Sequence, residues 1–245
     1  VVRGIIGKKP IHMMRGSDES PKLKMEDLWI DIGVSSKEEA LKKVAIGDVI
    51  IYHSEFEQLS DDLIVSKATD NKVGVYVAAV VMQELAKKQI TASYYAVSSV
   101  GEETTMRGAR TSAWQIEPDI ALVVDVTFTS DIPGTDKRVI GDISLGKGPT
   151  LSIGAALHPA VHKRLLEIAK KHKLPIQMEI APGRTGTDAD AIHDLKSGAA
   201  TAVIGIPNRY MHSPNEVISL KDLDTAVKLI TEFVLSLDDK FKLER

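Results

Sequence analysis

Residues 63–126 decide the fold: LIVSKA (63–68) leads into VGVYVAAVVMQELAKK (73–88), then SYYAVSSV (93–100), then IALVVDV (120–126). Short runs rich in β-branched and aromatic residues read as strands, and the long run between the first two reads as a helix. IALVVDV is apolar at nearly every position, the pattern of a strand covered on both faces. The alternation continues downstream. A helix around Gly108–Gln115 leads into IALVVDV, and beyond that strand come TLSIG (150–154), the amphipathic AVHKRLLEIAKKHK (160–173), PIQMEI (175–180), a helix near Asp188–Lys196 and the strand ATAVIGI (200–206). The last helix, Leu220–Leu237, opens on Ser219 with Asp222 behind it, a capping signal. Strand–helix alternation of this kind predicts an α/β fold: a mixed, mostly parallel central sheet flanked by helices.

Upstream the text changes. VVRGII (1–6), LWIDIG (28–33) and GDVIIYH (47–53) are β-like runs separated by charged turns, so residues 1–60 read as a small β-rich domain and 61–245 as the α/β domain. Arg15–Asp27 is polar, charged and Pro-containing, the composition of a mobile loop. Ser36, three residues before Glu39, begins a short capped helix. Val1 stands inside a β-like run without an initiator Met, and the chain reads as a fragment or processed form.

The 245 residues are 43% hydrophobic and 27% charged, ordinary values for a soluble globular protein. A net charge of -3 gives no reason to expect nucleic acid or an anionic membrane as partner. Without Cys there are no disulfides, thiol nucleophiles or Cys-based zinc sites, so any metal is held by His, Asp and Glu. The longest apolar run, Val73–Met82, is about half the ~20 residues that span a bilayer. No charged segment precedes an apolar one as in a secretory signal, and a cytoplasmic location is the expectation.

In α/β sheets ligands gather beyond the carboxyl ends of the strands, and four candidate positions fall there. Asp70 follows LIVSKA, where it serves equally well as a helix N-cap. Glu102 and Glu103 follow SYYAVSSV and a Gly; they form either a solvated acidic turn or a pair pointing in different directions, one toward a metal and one toward a bound water. Asp125 ends a run of the buried type, where a carboxylate needs a cation, either a metal or a Lys/Arg partner. His212, in NRYMHSPNE (208–216), is either a surface loop residue or a ligand. Taken together they make an oxygen-rich set with one imidazole, suited to Zn, Co or Mn.

Asp70 in KATDNKVGVY (67–76), the Glu pair in SSVGEETTMRGARTSA (98–113), VVDVTFTSDIPGT (123–135) and IPNRYMHSPNEVI (206–218) together resemble the tetrahedral aminopeptidases, a family of large cytoplasmic metallopeptidases with a zinc-peptidase-like fold. RTGTDADAIH (184–193) resembles that family's Gly-Thr-Asp loop, and GIIGKKPIHM (4–13) the entry to its small domain. The resemblance covers essentially the whole chain. It implies two divalent metal ions, Zn or Co, bridged by Asp70. Asp125 would complete one metal's protein ligands together with a His from the family's N-terminal segment, and Glu103 and His212 would bind the other. Glu102 would be the general base. It implies hydrolysis of N-terminal residues from peptides, and a small domain that assembles the chain into a tetrahedral dodecamer.

The chain departs from the family pattern in two places. The family's early His-Asp ligand has no counterpart here, so the Asp70–Asp125 metal is expected to bind weakly or not at all; neither His12 nor His53 matches it. Thr104 and Thr105 stand where a hydrophobic–Gly pair is expected. GDISLGKG (141–148) nearly matches a phosphate-binding P-loop, but Gly148 replaces the Ser/Thr, and Pro149 with a β-like run replaces the helix. Two other readings remain: a glucanase-type glycoside hydrolase, and a catalytically incomplete assembly subunit. Against the glycosidase, aromatic residues are only 4% of the chain, and adjacent Glu side chains do not flank a glycosidic bond.

Overall fold

The structure, a computed structural model, describes residues 1–13 and 24–243, which form two compact units divided between Tyr52 and His53. In the first unit β1 (Ile5–Gly7) pairs antiparallel with β2 (Trp29–Asp31), Ile6 opposite Ile30. Helix α1 (Lys37–Leu41) starts on Ser36, whose hydroxyl accepts the Glu39 amide at 3.1 Å. The Glu39 carboxylate reaches back to the amide of Ser35, one residue before the cap. Of the loop expected over 15–27, residues 15–23 lie outside the described residues and Met25–Asp27 form a 3-10 turn. GDVIIYH (47–53) forms no ladder, contrary to its β-like composition, and Ile50 and Ile51 stay largely exposed.

The second unit contains β3 (Glu57–Gln58), β4 (Leu63–Ser66), α2 (Thr69–Leu85), α3 (Glu102–Thr105), α4 (Arg107–Ile116), β5 (Ile120–Phe128), α5 (Lys137–Ile140), β6 (Thr150–Ile153), α6 (Pro159–His172), β7 (Gln177–Ile180), α7 (Ala189–Ile192), β8 (Ala200–Asn208), β9 (Glu216–Ser219) and α8 (Leu220–Leu235). The central sheet runs β5-β8-β6-β7, with β5 parallel to β8, β6 parallel to β7, and β6 antiparallel to β8. Its middle strand β8 is buried throughout, as its continuous apolar text requires. On one face α2, α6 and α8 enclose Val77, Val81, Leu165, Ile204, Leu229 and Phe233. On the other, Ala189 of α7 packs with Val123, Leu157 and Val203.

In this unit one expected strand pairs in a different sheet and another does not form. LIVSKA does form β4, but its partners are β3 and β9 in a separate three-stranded antiparallel sheet. SYYAVSSV forms no ladder: a cleft of about 930 Å³ is lined by residues 91–99 and by Asp119–Asp125, and Tyr95 and Val100 are 62% and 64% exposed. A β-like composition supplies the inclination for a strand, but a ladder needs a neighbour within hydrogen-bonding reach. The phosphate-loop resemblance dissolves as well. The amides of Gly146 and Gly148 donate at 2.8 and 2.7 Å to the buried carboxylate of Asp222 in the first turn of α8.

Helix α2 meets β5 through Gly74. A Cβ there would lie 2.7 Å from the Val124 carbonyl oxygen and 2.5 Å from Asn71 Oδ1. Gly74→Ala therefore forces helix and strand apart. The expected cost is about 1–3 kcal/mol, read as a lower urea midpoint with unchanged slope.

Candidate metal centre

Asp70 stands where β4 turns into α2. Ala68 before it is left-handed at φ 54°, and Asp70 and Asn71, joined by a cis peptide bond, are non-helical. The capping bond of the helix belongs to Asn71, whose Oδ1 accepts the Gly74 amide at 2.8 Å while its Nδ2 donates to Val124 O at 2.8 Å. The Asp70 side chain is thereby left for other work, beside the strand that carries Asp125.

The Glu pair sits on α3, a single turn opened by Gly101 at φ +73°. Arg107 Nη1 approaches the hydroxyls of Thr104 and Thr105 at 3.4 and 3.3 Å, so the departure from the family pattern leaves the turn braced by polar contacts. His212 lies between β8 and β9, where both Tyr210 and His212 adopt φ 62°. Left-handed backbone at non-glycine residues is uncommon and costly, and it gathers here at Ala68, Met106, Tyr210 and His212 on the loops that carry the candidate ligands. The His212 ring stands edge-on to Phe128, centroids 6.2 Å apart.

Three of the four candidate ligands converge. His212 Nε2 is 3.3 Å from Asp70 Oδ2 and 3.8 Å from Glu103 Oε1, and one ligand atom from each of the three lies within 4.8 Å of the others. Ligand atoms around a tetrahedral ion with bonds of about 2.0–2.2 Å sit roughly 3.4 Å apart, so small side-chain rotations suffice for these residues to hold one. Asp125 is separate from that group and lies inside β5 rather than at its end. It is 7% exposed, and Oδ1 accepts its neighbour's amide, Val126 N, at 2.9 Å. Among the described residues no Lys or Arg forms a salt bridge with Asp70, Glu102, Glu103 or Asp125.

The electrostatics follow from that imbalance. Burial pushes Asp125 up to about 8. Burial and then the charges of Asp188 and Glu103 push Glu102 up to about 7. Asp70 rises to about 6, through burial and then the charges of Glu103 and Glu216, with His212 pulling the other way. Crowded carboxylates without a basic partner bind either protons or a cation.

Two neighbouring carboxylates receive no role from the sequence reading, although Asp188 lies in its Gly-Thr-Asp loop and Glu216 closes NRYMHSPNE. Asp188, just before α7, accepts a hydrogen bond from Ser99 Oγ on one oxygen, while the other is buried without a partner among the described residues. Burial raises its pKa. Glu216, the first residue of β9, is 2% exposed and bonded to both ligand-bearing loops. Sequence separation hides both: Asp188 meets Ser99 across 89 residues and Glu216 meets Asp70 across 146.

The sequence profile of a family described as M42 glutamyl aminopeptidase matches residues 1–229. A putative aminopeptidase of Acetivibrio thermocellus is 38% identical, over 94% of this chain and 68% of its own length. A TET aminopeptidase from a marine-sediment Thaumarchaeota archaeon superposes with a TM-score of 0.91 at 31% identity, covering 97% of this chain and 68% of that one. The TET1 peptidase of Pyrococcus horikoshii, described as able to assemble into a tetrahedron or a large octahedral shell, superposes with a TM-score of 0.82 at 28% identity, covering 96% and 68%. The chain spans 64 to 68% of the length of the curated relatives it matches. No helix among the described residues is long and apolar enough to cross a membrane.

Adding Co(II) or Zn(II) to chelator-treated protein should raise its melting temperature by several degrees. Asp70→Asn and His212→Ala should each remove most of that rise, and Glu102→Gln should leave it. Because Asp70 holds its proton up to about 6, the rise should be larger at about pH 7.5 than at about pH 5.5. A rise that survives both ligand substitutions in a thermal-shift assay would place the ion elsewhere.

Proposed function

The chain belongs to the M42 glutamyl aminopeptidase family, and on that premise we propose that it hydrolyses N-terminal residues from peptides through a dinuclear metal centre. The observation that carries the reading is the meeting of Asp70, Glu103 and His212 within one ion's reach. Asp70, Asp125, Glu103 and His212 would hold two divalent ions, Zn or Co. Such ions, when bound, polarise the scissile carbonyl and acidify a water. Glu102 is the general base. Poised at about 7, it takes a proton from that water near neutral pH and passes it to the leaving amine. The surplus of negative charge suits a substrate whose free α-amine is cationic, which limits cutting to the first residue.

For the intact protein we propose a homo-oligomer of the tetrahedral dodecamer kind working on peptides in the cytoplasm, with no nucleic acid or membrane partner. The exposed apolar side chains of the small unit, Val49, Ile50 and Ile51 among them, are surfaces for contacts between copies.

A glucanase-type glycosidase is the second reading, and the geometry gives it little support. Glu102 and Glu103 are consecutive on one short turn, whereas glycosidic carboxylates face each other across the scissile bond. Release of p-nitroaniline from amino-acid p-nitroanilides should require added Co(II) or Zn(II) and vanish with EDTA. Glu102→Gln should lower it roughly a hundred- to ten-thousand-fold. Chelator-resistant cleavage of a β-glucan would overturn the proposal, and silence toward both substrates with metal bound would favour an assembly subunit.

A further inference from the structure

Glu216 is buried, and its two oxygens are divided between the loops that bring Asp70 and His212 together. Oε2 accepts the Thr69 hydroxyl at 2.7 Å and the Asp70 amide at 3.0 Å, and Oε1 accepts the His212 amide at 3.1 Å. Thr69 Oγ1 in turn accepts Asn208 Nδ2, from the end of β8, at 3.3 Å. The antiparallel register of β4 and β9 sets Ser66 opposite Glu216, which fixes the carboxylate under the turn that follows β4. No Lys or Arg among the described residues forms a salt bridge with it, so backbone amides and one hydroxyl alone compensate its charge. A carboxylate in that situation is costly to bury, and a fold built only for stability is served as well by a neutral acceptor.

From these bonds we propose that Glu216 is a positioning residue for the metal centre: it sets the separation of Asp70 and His212 and adds a negative charge directly behind them. The inference rests on the metallopeptidase reading only in needing a cation at Asp70, Glu103 and His212. Its role is distinct from that of a ligand, because both of its oxygens are committed to the chain. Glu216→Gln keeps the volume but offers one acceptor oxygen where two are used, so one of the two loops loses its anchor.

The test is Co(II) binding to the chain, followed by competition with a chromogenic chelator and by the visible absorption of the bound ion. Glu216→Gln should weaken Co(II) binding by at least about tenfold and change the position or intensity of the absorption band. Glu216→Asp, which keeps the charge and shortens the reach, should fall between it and the parent. Asp222→Asn disturbs an equally buried carboxylate that holds two amides elsewhere, and should lower the melting temperature without moving either signal. A parent that binds Co(II) and a Glu216→Gln variant with the same affinity and spectrum would overturn the inference and leave the peptidase reading standing. A parent without the band would overturn that reading itself. Loss of the fold in both Glu216 variants, with Co(II) present, would assign the residue to folding alone and overturn the proposal.

Discussion

Uncompensated negative charge at one end of the second unit is the constraint on which the rest of the structure turns. Burial and then the charges of neighbouring carboxylates raise the proton affinities of Asp70, Glu102 and Asp125, and His212 is the basic group that forms ion pairs with this cluster among the described residues. Two unit charges about 4 Å apart repel by roughly 4 kcal/mol at an effective dielectric near 20, an expense a folded domain of ordinary stability does not carry several times over without return. The strained backbone at Ala68, Met106, Tyr210 and His212 adds to it. A divalent cation, as proposed, would relieve the repulsion.

Holding those groups in place falls to contacts that are not themselves chemical. Gly74 lets α2 lie against the Val124 carbonyl, and Asn71 bonds that same carbonyl while capping the helix. Asp70 and Asp125 thus belong to neighbouring residues of one helix–strand contact, although 55 positions part them in the chain. The small antiparallel sheet does similar service from the opposite direction. By pairing β4 with β9 it brings the residues before Asp70 beside those after His212, and Glu216 joins the two across the ladder.

The sequence made legible what depends on local pattern. Val73, Val77, Val81 and Leu85 are buried on one face of α2 at helical spacing, and Ser219 caps α8 with its hydroxyl on the Asp222 amide. Asp70, Glu103 and His212 came into view together, as polar residues following β-like runs, and their roles as ligands rested on the family resemblance of the stretches around them. What depends on partners was not readable. SYYAVSSV has strand composition and no strand beside it, and LIVSKA is a strand of a different sheet from the one its helix covers. GDISLGKG has the glycines of an anion-binding loop, and its amides do bind an anion, but the anion is Asp222 of the same chain. Asp125 looked like a strand terminus because its apolar run stops at Val126, whereas the ladder with β8 continues to Phe128.

The division between Glu102 and Glu103 shows how one turn can supply two chemistries. Successive residues in a helical turn point about 100° apart, so the pair cannot share an environment. Glu103 faces His212 and Asp70 and remains largely exposed, with one oxygen within reach of an ion shared with them. Glu102 lies deeper, where burial and the charge of Asp188 raise it to about 7, and its charge is felt by the buried Asp125. In the proposed reaction a carboxylate at the ordinary value near 4 would take up a proton only weakly at neutral pH, whereas one near 7 can both accept and release it. Asp188 thus raises Glu102 by repulsion, and in the proposed reaction the same crowding that suits a cation would tune the base.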